Sequence, residues 1–196
     1  MSLSELETPA LILNGAKLDR NLARMDEHVA RLGVRLRPHV KTAKAIDVVR
    51  RAVSPGAGGI TVSTLKEAEQ FFAAGYRDIL YAVGIAPNKL DHVAVLRAMG
   101  CDLTILLDSI EAACVVADRS RITGAAIPAL IEIDSDGHRS GVKPEDAVLI
   151  EIGRILGHEV RPSEKLTREV AEAWRPHRGA AAIFAWHHYG SDMKVI

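Results

Sequence analysis

Apolar residues along the chain fall into two alternating periods, and the alternation predicts the architecture. Short runs of apolar residues read as strands, and longer stretches with apolar residues three and four apart read as one face of a helix. A first strand is expected at 9–13. A first helix is expected at 18–32, where Leu18, Leu22, Met25, Val29 and Leu32 share a face and Gly33 ends the run. A second strand at 35–41 precedes a helix at 43–53, and a third strand at 59–63 precedes a helix at 64–74. Thr64 and Glu67 open that helix with the spacing of a capping box, and Gly75 closes it. Strand 79–83 leads to a helix ending at Met99, strand 103–107 to a helix at 109–118, and strand 128–134 to a helix at 144–156.

Six βα units joined by short connections predict an α/β fold with a parallel sheet. Crossovers of one hand wind such a sheet into a barrel or an open doubly wound sheet. The turn after the first strand has no Gly-rich loop, which weighs against a dinucleotide-binding domain. There is no internal repeat and no linker, so residues 1–157 read as one run of barrel units. An atypical tail follows at 158–196, with one further helix before Trp174 and a strand at 180–186. A complete eight-stranded barrel takes about 250 residues, and this chain has 196. The barrel is therefore expected to be incomplete. Its open edge would be covered by a second copy in a homodimer or by a tail strand, or the chain would be a truncated product.

Lysine plus arginine equals aspartate plus glutamate at 25 each, so no overall field draws the protein to nucleic acid or to a membrane surface. Any preference for anions must be local. Cys101 and Cys114 are too few for a disulfide framework and are expected to be reduced and partly buried. The N-terminus lacks a basic segment leading into an apolar run, and no apolar stretch reaches the roughly 20 residues that span a bilayer. A cytoplasmic location is expected. His28 and His92 lie within helical runs and read as surface or half-buried residues, and Trp174 and Trp186 as anchors for the tail.

The second strand carries the clearest chemistry. Side chains alternate between the two faces of a strand, so Arg35, Arg37, His39 and Lys41 share one face and Leu36, Pro38 and Val40 the other. A cation left unpaired on a buried strand costs several kcal/mol, roughly, so an anion is expected to compensate the stripe. On one reading Arg35 is solvated and Arg37 pairs with a carboxylate from a neighbouring strand. On the other, Lys41 at the C-terminal end is a Schiff-base lysine, made nucleophilic by partial burial and by Arg37 and Lys44 nearby. The sixth strand supplies acids, since Glu132 and Asp134 share a face and could neutralise the stripe. His138 and Arg139 follow in the connection after it, which is an ordinary polar turn on the plainer reading.

The segment Arg37-Pro38-His39-Val40-Lys41-Thr42 resembles the lysine motif of the D-threonine aldolase and D-serine dehydratase group. Three more pieces fall in that group's order: residues 7–11, residues 64–69, and Glu132-Ile133-Asp134 through Arg139-Ser140-Gly141-Val142. The resemblance covers roughly residues 7 to 156 and implies an alanine-racemase-like (β/α) barrel of fold type III that binds pyridoxal phosphate. It implies a lyase acting on small D-amino acids through a Lys41 Schiff base, with His39 as a proton-transfer partner. Arg37, His138, Arg139 and Asp134 would line the cofactor, and Tyr189 in His187-His188-Tyr189-Gly190 would reach its phosphate. The alternatives are a non-catalytic pyridoxal-phosphate-binding protein, an amino-acid racemase and an inactive truncated family member. Two features of the group are missing from the sequence: a β-rich C-terminal domain and the histidine ligand of its divalent metal. Ala43 also stands where many relatives have a second histidine.

Overall fold

The computed structural model describes residues 3–134, 140–143 and 146–157. Four parallel strands, β1 (Ile60–Val62), β2 (Asp78–Gly84), β3 (Asp102–Leu107) and β4 (Ala129–Ile131), lie side by side in the order of the sequence. Helices α1 (Gly15–Leu32) and α2 (Ile46–Ala52) precede β1, and α3 (Leu65–Ala73), α4 (Leu90–Ala98) and α5 (Ile110–Thr123) connect the strands. Helix α6 (Ala147–Ile155) follows β4. A sheet whose order never reverses has all its crossovers running the same way, which is the construction of a βα barrel and not of a doubly wound sheet. Among the described residues the sheet is part of such a barrel.

The two faces of the sheet are unequal. Strand pairing aligns Ile60, Ile79 and Leu103 in one layer and Val62, Tyr81 and Ile105 in the next. These side chains are wholly buried against helix residues that include Phe71, Val93, Leu96, Val116 and Ile152. The alternate positions, Thr61, Leu80, Thr104, Leu106 and Leu130, form the opposite face.

Helix boundaries follow local chemistry. Asn14 caps α1 by accepting the Lys17 N–H at 2.9 Å, and Gly33 ends it in the left-handed region at φ 64°. Ser109 caps α5, which runs past the expected Asp118 to Gly124, again left-handed. The capping box at Thr64 and Glu67 forms as the sequence predicts.

Two expectations are corrected. Residues 9–13 form no strand, and Leu11, Ile12 and Leu13 are exposed. Their apolar run suits burial, yet no strand pairs with it among the described residues. Residues 35–41 pair with β1 only through a single bridge, His39 to Thr61. Pro38 has no N–H to extend the ladder, and the chain turns after Val40. The cysteines also differ from expectation: Cys114 is exposed, and Cys101 is buried, with burial pushing its thiol up to about 11. No helix among the described residues is long and apolar enough to cross a membrane. The tail at 158–196, with its expected helix and strand, lies outside the described residues.

The layer assignment makes a direct prediction. Leu103→Ala, on the helix-packed face, should lower stability by about 2–5 kcal/mol, and Thr104→Ala, on the other face, by about 1 kcal/mol or less. Urea unfolding of both variants checks this, and the reverse order would mean that the faces are wrongly assigned.

Candidate active site

Parallel strands bring all their C-terminal ends to one rim, the end at which barrel proteins build their sites. The segment before β1 reaches this rim through two backbone hydrogen bonds. Val40 N–H donates to the Thr61 carbonyl and Thr61 N–H to the Pro38 carbonyl, each at 2.9 Å. Lys41 is the first residue past this paired stretch. Its backbone N–H donates to His39 Nδ1 at 3.3 Å, which leaves Nε2 as the proton-bearing nitrogen of a neutral imidazole. The Lys41 side chain is exposed, and its amine has no hydrogen-bond or ion-pair partner among the described residues.

Lys44 closes the turn. Its N–H donates to the Val40 carbonyl at 2.9 Å, and its backbone is left-handed at φ 47°. Its amine lies 3.0 Å from Glu67 Oε1. Only 6% of the Glu67 side chain is exposed. Its Oε2 accepts the Ser63 N–H at 2.8 Å, the Ser63 hydroxyl at 3.1 Å and the Thr64 N–H at 3.3 Å. Burial pushes the Glu67 carboxyl up, but the Ser63 N–H and Lys44 outweigh it and hold the group below its ordinary value. His39 is also lowered, by partial burial first and by the Lys41 cation second, with Glu67 opposing both.

The basic stripe is compensated differently from the expectation. Arg37 Nη2 pairs with Asp78 Oδ2 at 2.7 Å, and Nη1 donates to the Ile60 carbonyl at 3.4 Å. Asp78 begins β2, so Arg37 stands at the opposite rim. Four residues of extended chain separate it from Lys41 by about 13 Å. Gly59 leaves room for this pair, since a Cβ there would lie 2.3 Å from Asp78 Oδ2. Of the two readings of Arg37, the structure shows the pairing with a neighbouring strand's carboxylate. The expectation that partial burial and Arg37 would activate Lys41 is corrected, because Lys41 is exposed and Arg37 is remote and paired.

Glu132 and Asp134 do not neutralise the stripe either. They follow β4, which lies four strand spacings from the Lys41 segment, about 19 Å along the sheet. Glu132 accepts the Ser140 hydroxyl at 3.1 Å. The Asp134 N–H donates to the Val142 carbonyl, and the Val142 N–H to the Glu132 carbonyl. Gly141 permits this approach, because a Cβ there would lie 2.7 Å from Asp134 N and its φ is 118°. His138, Arg139 and Tyr189 lie outside the described residues. A cleft of about 470 Å³ opens at the same rim, lined among others by Asp108, Ser109, Glu111, Val142, Lys143 and Asp146. Among the described residues no group of three or more His, Cys, Asp or Glu could hold a metal.

Sequence reasoning gave Glu67 its capping role and missed its pairing with Lys44. That pairing depends on a left-handed turn that no local pattern announces. Asp108, the first polar residue after an apolar strand run, carried a usable signal that went unread.

The family described as alanine racemase, N-terminal domain, matches residues 13–167. The chain is 52% identical over 156 residues to D-threo-3-hydroxyaspartate dehydratase of Delftia sp. (strain HT23), a match that covers 79% of this chain and 41% of that protein. It is 32% identical over 148 residues to D-threonine aldolase of Arthrobacter sp., covering 75% of this chain and 39% of that one. The solved structure of the Delftia sp. HT23 dehydratase superposes with a TM-score of 0.77 at 43% identity, covering 93% of this chain and 53% of that one. The chain thus spans about two fifths of the length of the curated relatives it matches.

The charges around His39 set the direction of two shifts. Lys41→Met removes a cation and should raise the His39 pKa, and Glu67→Gln removes an anion and should lower it further. NMR titration of the imidazole measures both; movement in the opposite sense in either variant would contradict the arrangement.

Proposed function

The chain belongs to the alanine racemase N-terminal domain family, and from that premise we propose that it is the cofactor-binding barrel of a pyridoxal-phosphate-dependent lyase acting on D-amino acids. The observation that carries the reading is the unengaged Lys41 amine at the C-terminal rim, beside His39 and Lys44. The donor set fits the cofactor. An aldehyde needs a primary amine with no other partner, and an anionic phosphate ester suits a rim that holds two lysines. When bound, pyridoxal phosphate supplies a sink for the electron pair left on the substrate α-carbon.

Lys41 holds the cofactor and, once the substrate's own amine displaces it, moves the proton at the α-carbon. His39, fixed by the Lys41 backbone N–H, orients this segment and is the proton partner of the lysine. Asp134, His138, Arg139 and Tyr189 are proposed cofactor contacts on their resemblance alone. Arg37 braces the opposite end of the strand through Asp78. No residue is assigned to a metal.

Among lyase reactions, elimination of water from a 3-hydroxy D-amino acid is favoured by the 52% identity to a D-threo-3-hydroxyaspartate dehydratase. Retro-aldol cleavage is the second reading, favoured by the 32% identity to a D-threonine aldolase.

Incubation with pyridoxal phosphate should give a visible absorbance band that Lys41→Ala abolishes, and a band retained in that variant would overturn the assignment of Lys41. With D-threo-3-hydroxyaspartate the expected products are ammonia and oxaloacetate. Glycine and glyoxylate would assign the aldolase reaction, and a band without product would assign cofactor binding without turnover.

A further inference from the structure

Building on the reading of Lys41 as the cofactor lysine, we propose that Glu67 is a positioning residue that decides which of two neighbouring lysines meets pyridoxal phosphate: it draws Lys44 into an ion pair and leaves Lys41 as the reactive amine. The two lysines are three residues apart, both are exposed, and both stand at the C-terminal rim. An aldehyde reaching this rim encounters either one. Their surroundings differ. The Lys44 nitrogen lies 3.0 Å from Glu67 Oε1, whereas the Lys41 nitrogen has no partner among the described residues.

Helix capping does not account for the whole of this arrangement. A capping box needs one carboxylate oxygen, and Oε2 fills that role with Ser63 and Thr64. Oε1 is buried as well, has no aligned hydrogen bond, and meets only the Lys44 ammonium. Lys44 reaches it from a left-handed backbone at φ 47°, a conformation that L side chains rarely adopt and that persists where surrounding contacts hold it. Paired as an ammonium, the Lys44 nitrogen offers no lone pair to a carbonyl. Lys41, after losing a proton to solvent, offers one.

Borohydride trapping reads the selection. The amine lone pair adds to the aldehyde carbon and the carbonyl oxygen leaves as water. Borohydride then delivers hydride to that carbon, leaving a secondary amine that peptide fragmentation locates. In the wild-type chain the label should fall on Lys41 well ahead of Lys44. Glu67→Gln, which keeps an oxygen for Ser63 and Thr64 but removes the charge, should raise the Lys44 share by about five-fold. Thr64→Ala, which weakens the cap and keeps the pair, should leave the share unchanged. An unchanged distribution in Glu67→Gln, or an equal rise in Thr64→Ala, would overturn the proposal.

Acetic anhydride labelling of the wild-type chain needs neither a variant nor the cofactor. Slower acetylation of Lys44 than of Lys41 is expected, and equal rates would overturn the selection. A wild-type chain that traps pyridoxal phosphate no better at Lys41 than at Lys17 or Lys66 would instead defeat the cofactor reading, and the acetylation rates would still decide the role of Glu67.

Discussion

Two backbone hydrogen bonds fix where Lys41 stands. Val40 N–H to the Thr61 carbonyl and Thr61 N–H to the Pro38 carbonyl tie the segment to β1, the innermost strand beside it, whose Ile60 and Val62 are wholly buried. Pro38 offers no N–H, and beyond Val40 the chain turns to close on Lys44. Lys41 therefore occupies the first position past the pairing, at the rim to which every parallel strand delivers its C-terminal end.

Around that position the cations divide by partner. Arg37 is held by Asp78 at the far rim and Lys44 by Glu67 at the near one, and the Lys41 amine is met by neither. Each pair is local, made between adjacent elements, so the segment is neutralised without help from the distant β4. The acids after β4 organise their own connection, where Glu132 meets Ser140 and the backbone of Asp134 meets Val142. A rim built this way keeps structural charges occupied and leaves one amine available for chemistry.

The parts of this picture that the sequence made legible are those set by periodicity. The units from β1 to α6 follow from apolar spacing, because burial imposes that spacing directly. The capping box was equally legible, since Thr64 and Glu67 act over three residues. Residues 9–13 were misread because an apolar run reports a preference for burial and says nothing of whether a strand is there to pair with. Alternation along 35–41 correctly grouped Arg37 with Lys41 but could not show that one ends at each rim, nor that Asp78 and Glu67, not Glu132 and Asp134, supply the counter-charges. Those facts depend on strand order and on a left-handed residue, and neither has a local signature.

The most direct test of the central claim is a crystal structure of the chain grown with pyridoxal phosphate. Continuous density from Lys41 Nζ into the pyridine ring, at the C-terminal rim beside His39, is the predicted result. Density joined to Lys44 or to a lysine elsewhere, with Lys41 bare, would contradict it.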